Sequence, residues 1–101
     1  MIPCPLRFTP ILKERPWGRE TWWISDRPGD DSRVAEGPLA GSTLSGLMKS
    51  DALSLLGPSV RPGSRFPLLV KTLEAREWLS IQAHPAEGPG MKTEAWYVLD
   101  A

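Results

Sequence analysis

Apolar and polar positions alternate in short runs along most of this chain, and only one stretch shows helical spacing. A strand sends successive side chains to opposite faces, so alternation of this kind predicts half-buried strands. In Thr21 to Ser25, Trp22 and Ile24 fall on one face and Trp23 on the other. Phe66 to Leu73 is the most continuously apolar run and predicts the most buried strand. In Trp78 to His84, Leu79, Ile81 and Ala83 alternate with Ser80, Gln82 and His84. Leu6 to Leu12 is extended but interrupted by proline, which suits an edge strand because proline cannot donate to a ladder. Arg33 to Glu36 predicts a brief strand ended by Gly37-Pro38, and Trp96 to Leu99 a strong one.

The helical stretch begins at Ser42 or Thr43, either of which can cap it, and Leu44, Leu47 and Met48 follow at helical spacing. Gly46 inside it costs about 1 kcal/mol relative to alanine. Asp51 has the character of a second N-cap, for a short turn through Leu53, Leu55 and Leu56 that stops at Gly57-Pro58. Pro16-Trp17-Gly18 reads as a turn, and Asp26 to Ser32 and Ser59 to Arg65 as loops. The predicted fold is mainly β, with one or two short helices.

Composition narrows the picture. The 101 residues make one domain at most. Eleven prolines and nine glycines exceed the usual combined share of about 12%, which favours a turn-rich β chain over a helical bundle. A hydrophobic content of 41%, with five tryptophans, argues against disorder. Twelve basic residues balance twelve acidic ones, so no general field favours nucleic acid or anionic lipid as a partner. Cys4 is the single cysteine and excludes an internal disulfide. No apolar run approaches the roughly 18 residues of a membrane span, and Met1 to Trp17 lacks the apolar core of a signal peptide. The expectation is a cytoplasmic protein. The apolar run at Trp96 to Leu99 is followed by neither a turn nor a partner strand. It predicts an open sheet edge suited to self-association, and suggests the front part of something longer.

The candidate chemistry lies between Phe66 and Ala101. Ser80, Gln82 and His84 share one strand face, and Lys92 and Glu94 repeat the pattern after a Pro/Gly-rich connection. Antiparallel pairing of the two runs would bring Gln82, His84 and Glu94 to one spot, with Ser80 and Lys71 further along. One nitrogen and two oxygens suit Zn²⁺ or a neighbouring divalent ion. An ammonium and a hydroxyl both donate to an oxyanion such as phosphate. Taken singly, each has a plainer reading: His84 as a hydrogen-bonded strand histidine, Lys71 and Lys92 as solvated lysines, Ser80 as a partner of the backbone.

Several stretches together resemble the N-terminal part of type I mannose-6-phosphate isomerases, zinc enzymes with a cupin fold. These are Pro10-Ile11-Leu12-Lys13-Glu14-Arg15 with Trp17-Gly18, Trp23-Ile24-Ser25-Asp26, and Gly37-Pro38-Leu39-Ala40-Gly41 with Thr43-Leu44. The others are Phe66 to Lys71, Leu79-Ser80-Ile81-Gln82-Ala83-His84-Pro85, and Lys92-Thr93-Glu94 continuing to Ala101. The resemblance implies a partial cupin, a jelly-roll β-sandwich of which residues 1–101 form the N-terminal portion of the catalytic domain. It implies zinc held by Gln82, His84 and Glu94, a sugar phosphate near Lys71 and Ser80, and Lys92 at the reacting end of the sugar. The implied reaction interconverts mannose 6-phosphate and fructose 6-phosphate. Two departures from the family stand out: Trp17-Gly18 runs almost directly into Glu20-Thr21-Trp22, and the connection from His84 to Lys92 is short. The family's fourth zinc ligand, a histidine, and its catalytic arginine would lie beyond position 101. The alternative is a non-catalytic partial cupin that binds metal or sugar phosphate weakly, or a structural fragment that depends on assembly.

Overall fold

The computed structural model describes residues 2, 5–61, 63–79, 87–88 and 92–101. Its centre is a three-stranded antiparallel sheet made by β1 (Ile11–Arg15), β2 (Gly18–Ile24) and β5 (Val70–Ala75), with β2 in the middle. The turn at Pro16-Trp17 is as tight as the sequence predicts, so β1 folds straight back on β2 and Arg15 faces Gly18. β2 begins three residues earlier than its apolar alternation indicates, because Gly18, Arg19 and Glu20 complete the ladder with β1. The edge strand predicted for Leu6 to Leu12 is observed at an edge of this sheet but shifted to Ile11–Arg15.

Beyond β2 the chain forms a small hairpin, β3 (Asp26–Arg27) and β4 (Asp30–Asp31), turning at Pro28-Gly29. The sequence predicts a loop there. The turn residues are correctly placed, but the backbone on either side pairs across them. Arg33 and Val34 form only isolated bridges, to Thr43 and Phe8. Helix α1 (Leu44–Leu56) is capped by Thr43, whose side chain accepts from the Gly46 backbone N–H. Asp51 breaks it with non-helical backbone angles and caps the second half, accepting from Ser54 through both backbone and hydroxyl. Gly57 ends it with a positive φ that glycine takes without a Cβ penalty.

Ile2, Val34 and Leu47 form a buried cluster, with Leu6, Phe8, Leu39 and Leu55 packed against it. Two buried serines tie this region to the sheet. Ser32 Oγ accepts from the Ser25 backbone at 2.9 Å, and the Ser32 carbonyl accepts from the Leu44 N–H at 2.8 Å. Asp31 then accepts from the Ser45 backbone at 3.0 Å and from its hydroxyl, so β4 is fastened to the first turn of α1.

Strand expectations in the second half are corrected where the residues are described. Phe66 to Leu73 is not the most buried strand: the ladder starts at Val70, and β5 is half-exposed along its length. Pro67 lacks an N–H, and the Phe66 N–H goes to the Asp26 carboxylate rather than to β2. Trp78 and Leu79 are outside any strand and Trp78 is 98% exposed. The rest of that predicted run, Ser80 to His84, lies outside the described residues. Trp96 to Leu99 is exposed and not a strand, and neither is Lys92 to Ala95. β-propensity expresses itself through packing on a neighbouring strand, and no ladder partner for 92–99 occurs among the described residues. The mainly β character with one interrupted helix agrees with the sequence.

Candidate functional site

The register of the sheet assembles a polar cluster on one face. Lys13 on β1 faces Glu20 on β2, and Trp22 on β2 faces Lys71 on β5. Residues two apart on a strand share a face, so Lys13, Arg15, Glu20, Trp22 and Lys71 are neighbours. Glu20 is the hub and is only 6% exposed. Its Oε1 accepts from Trp22 Nε1 at 2.8 Å and from Lys71 Nζ at 2.9 Å. Its Oε2 lies 3.5 Å from Arg15 Nε. The Trp22 ring carries two ammoniums near it, Lys13 at 5.1 Å and Lys71 at 5.6 Å from its centroid. Lys13 also pairs with Asp30 of the small hairpin.

Burial alone would raise the Glu20 carboxyl. The hydrogen bonds from Trp22 and Lys71, with the charges of Lys71 and Arg15, outweigh it and hold the group below its ordinary value. The cluster is therefore an ionised, fully partnered carboxylate under a ring of cations at neutral pH.

Trp22 joins this cluster to an open cleft of about 550 Å³, whose walls include Asp26, Arg27, Asp30, Arg65 and Phe66. Arg65 is fixed to the hairpin by a 2.9 Å bond to the Asp26 carbonyl and stands 3.6 Å from its carboxylate.

The predicted site residues divide into three sets. Lys71 is on a strand, with its ammonium held at Glu20 and Trp22. Lys92 and Glu94 lie together, Lys92 Nζ 3.1 Å from Glu94 Oε2, in a segment that is not a strand. Ser80, Gln82 and His84 lie outside the described residues, as does any convergence of Gln82 and His84 on Glu94. No group of three or more His, Cys, Asp or Glu side chains placed to hold a metal occurs among the described residues. No described helix is long and apolar enough to cross a membrane.

Reading the sequence missed Glu20, Arg15 and Lys13. Starting β2 at Thr21 left Glu20 outside the strand. The signal that could have found it is Glu20-Thr21-Trp22, an acid two positions before a tryptophan and so on the same face of a strand.

The family model described as phosphomannose isomerase type I, catalytic domain, matches residues 5–98. YvyI of Bacillus subtilis is 35% identical over 99% of this chain and 39% of its own length. The mannose-6-phosphate isomerase ManA of the same organism is 35% identical over 99% of this chain and 38% of its own. A mannose-6-phosphate isomerase of Streptococcus mutans is 42% identical over 81% of this chain and 27% of its own. The chain thus spans about two fifths of the length of the first of these relatives. The YvyI match runs over 125 positions against 101 residues here, so that relative carries residues within the matched region that this chain lacks. No solved structure matches.

Proposed function

This chain belongs to the type I phosphomannose isomerase family, and from that premise we propose that it serves the interconversion of mannose 6-phosphate and fructose 6-phosphate in the cytoplasm. The observation that carries the reading is the family match from residue 5 to residue 98, which spans every candidate site residue. The proposed metal is zinc, held by Gln82, His84 and Glu94 with the fourth ligand elsewhere. The donor set fits: one imidazole nitrogen and two oxygens suit zinc. Bound there, zinc would supply Lewis-acid polarisation of the substrate oxygens.

The chain's own residues do the rest. Lys71 and Ser80 donate to the sugar phosphate, and Lys71 is the one whose surroundings support this directly, because Lys13, Arg15 and Lys71 stand together around Glu20 and Trp22. Lys92 acts as the base that moves a proton between C1 and C2 of the sugar through an enediol. Removal of such a base lowers turnover by roughly 10²–10⁴-fold.

The test is an isomerase assay on the purified protein with and without added zinc. Zinc-dependent turnover, and loss of stoichiometric zinc in His84→Ala, are expected. A Lys92→Met variant with full turnover removes Lys92 as base. Absence of stoichiometric zinc in the parent would overturn the metal assignment and put a non-catalytic role ahead.

A further inference from the structure

We propose that Glu20 is a positioning residue for Lys71, fixing its ammonium so that its remaining N–H bonds meet an anionic ligand group already oriented. The proposal rests on the reading of Lys71 as a donor to the sugar phosphate. A lysine carries its charge on a flexible four-carbon stem whose rotamer freedom is lost on ordering. Holding that stem beforehand removes the ordering cost from ligand binding.

Three features of the cluster do this. Lys71 Nζ gives one of its three N–H donors to Glu20 Oε1 at 2.9 Å and stands 5.6 Å from the centre of the Trp22 ring. Glu20 is held in turn, because Trp22 Nε1 donates to the same oxygen at 2.8 Å and Arg15 stands 3.5 Å from the other. A buried carboxylate with those partners cannot follow the lysine if the lysine swings away. The third feature is charge. Among the described residues, Lys13, Arg15 and Lys71 pair with two carboxylates, Glu20 and Asp30, so the cluster keeps a positive excess. Glu20 therefore fixes the ammonium without cancelling the field an anion would meet.

The probe is inorganic phosphate, titrated calorimetrically into the parent protein and variants whose folding is checked by circular dichroism. Outer partners of metal ligands are commonly worth 10–100-fold, and by the same logic Glu20→Gln is expected to weaken phosphate about tenfold. Lys71→Met should weaken it at least as much, and the double variant should be no weaker than Lys71→Met alone. Residues that act through one another are non-additive in this way. Trp22→Phe keeps an aromatic ring but removes the N–H that orients Glu20. A severalfold loss is expected there, and this variant decides the matter if Glu20→Gln does not fold.

An unchanged or tighter dissociation constant in Glu20→Gln, or in Trp22→Phe when that variant decides, overturns the proposal. A carboxylate that merely competed with the ligand for Lys71 would improve binding when neutralised. Equal losses on adding Glu20→Gln to the parent and to Lys71→Met also overturn it, since they report a general structural role. A folded parent that binds no phosphate gives a different pattern: it removes Lys71 from the phosphate site and the proposal with it.

Discussion

Glu20 concentrates the electrostatics of this chain in one side chain. It is nearly buried, yet it is ionised, because two hydrogen bonds and two nearby cations more than offset its desolvation. Its carboxyl titrates below the ordinary value of 4.5 in the folded chain and near that value once unfolded. A group depressed in this direction stabilises the fold fully above the unfolded value, and the contribution fades as pH falls through the folded one. Unfolding by denaturant should therefore show stability level through neutral pH and falling below about pH 4.5. Glu20→Gln should start from lower stability, because it leaves Lys71 and Arg15 without their anion, and should lose less on acidification. An equally steep acid loss in that variant would assign the pH dependence to other carboxylates.

At the scale of elements, the hairpin of β1 and β2 and its seam with β5 decide where the cluster sits. The turn is clamped from outside: the Trp17 carbonyl accepts from the Arg76 and Glu77 N–H groups at 2.7 and 3.2 Å. Gly18, just after the turn, faces Ala75 across the ladder. A Cβ on Gly18 would fall 1.8 Å from the Glu74 carbonyl oxygen, so the strands meet there only because the side chain is absent. Gly18→Ala must push β5 away from β2 at that end, and a clash with backbone has no cheap relief. We expect a loss of roughly 2 kcal/mol or more, read as a lower denaturant midpoint. A midpoint unchanged from the parent would mean the two strands are not seamed at Gly18 in solution.

The same elements show what a sequence can and cannot disclose. The Pro16-Trp17 turn, the Thr43 cap and the Asp51 break were legible because each depends on residues within a few positions of one another. The start of β2 was not, since Glu20 is neither apolar nor β-branched and owes its place to partners on β1 and β5. Trp96 to Leu99 has strong strand propensity but no ladder among the described residues, and propensity without a partner leaves the run exposed. Of the candidate site, Lys71 could be placed on a strand from its apolar flanks. Its engagement with Glu20, fifty-one residues away, could not.

At the scale of the whole molecule, the described chain is held by two separate centres. One is the apolar cluster of Ile2, Val34 and Leu47, and the other is the charged face built on Glu20. Of the proposed zinc ligands, Glu94 is among the described residues and belongs to neither set. Metal binding should thus add to stability rather than substitute for either centre. A ligand that binds only the folded form stabilises it by roughly 2.7 kcal/mol when present at 100 times its dissociation constant. For a domain of this size that corresponds to a rise in Tm of roughly 10–20 °C. Calorimetric scans with and without zinc should show that rise in the parent. His84→Ala should lose the rise while keeping the parent's metal-free Tm, if its part is to hold the metal. A His84→Ala chain that keeps the zinc-induced rise would remove His84 from the ligand set. One that melts lower even without metal would make His84 part of the fold's support, and the separation between scaffold and metal centre would fail.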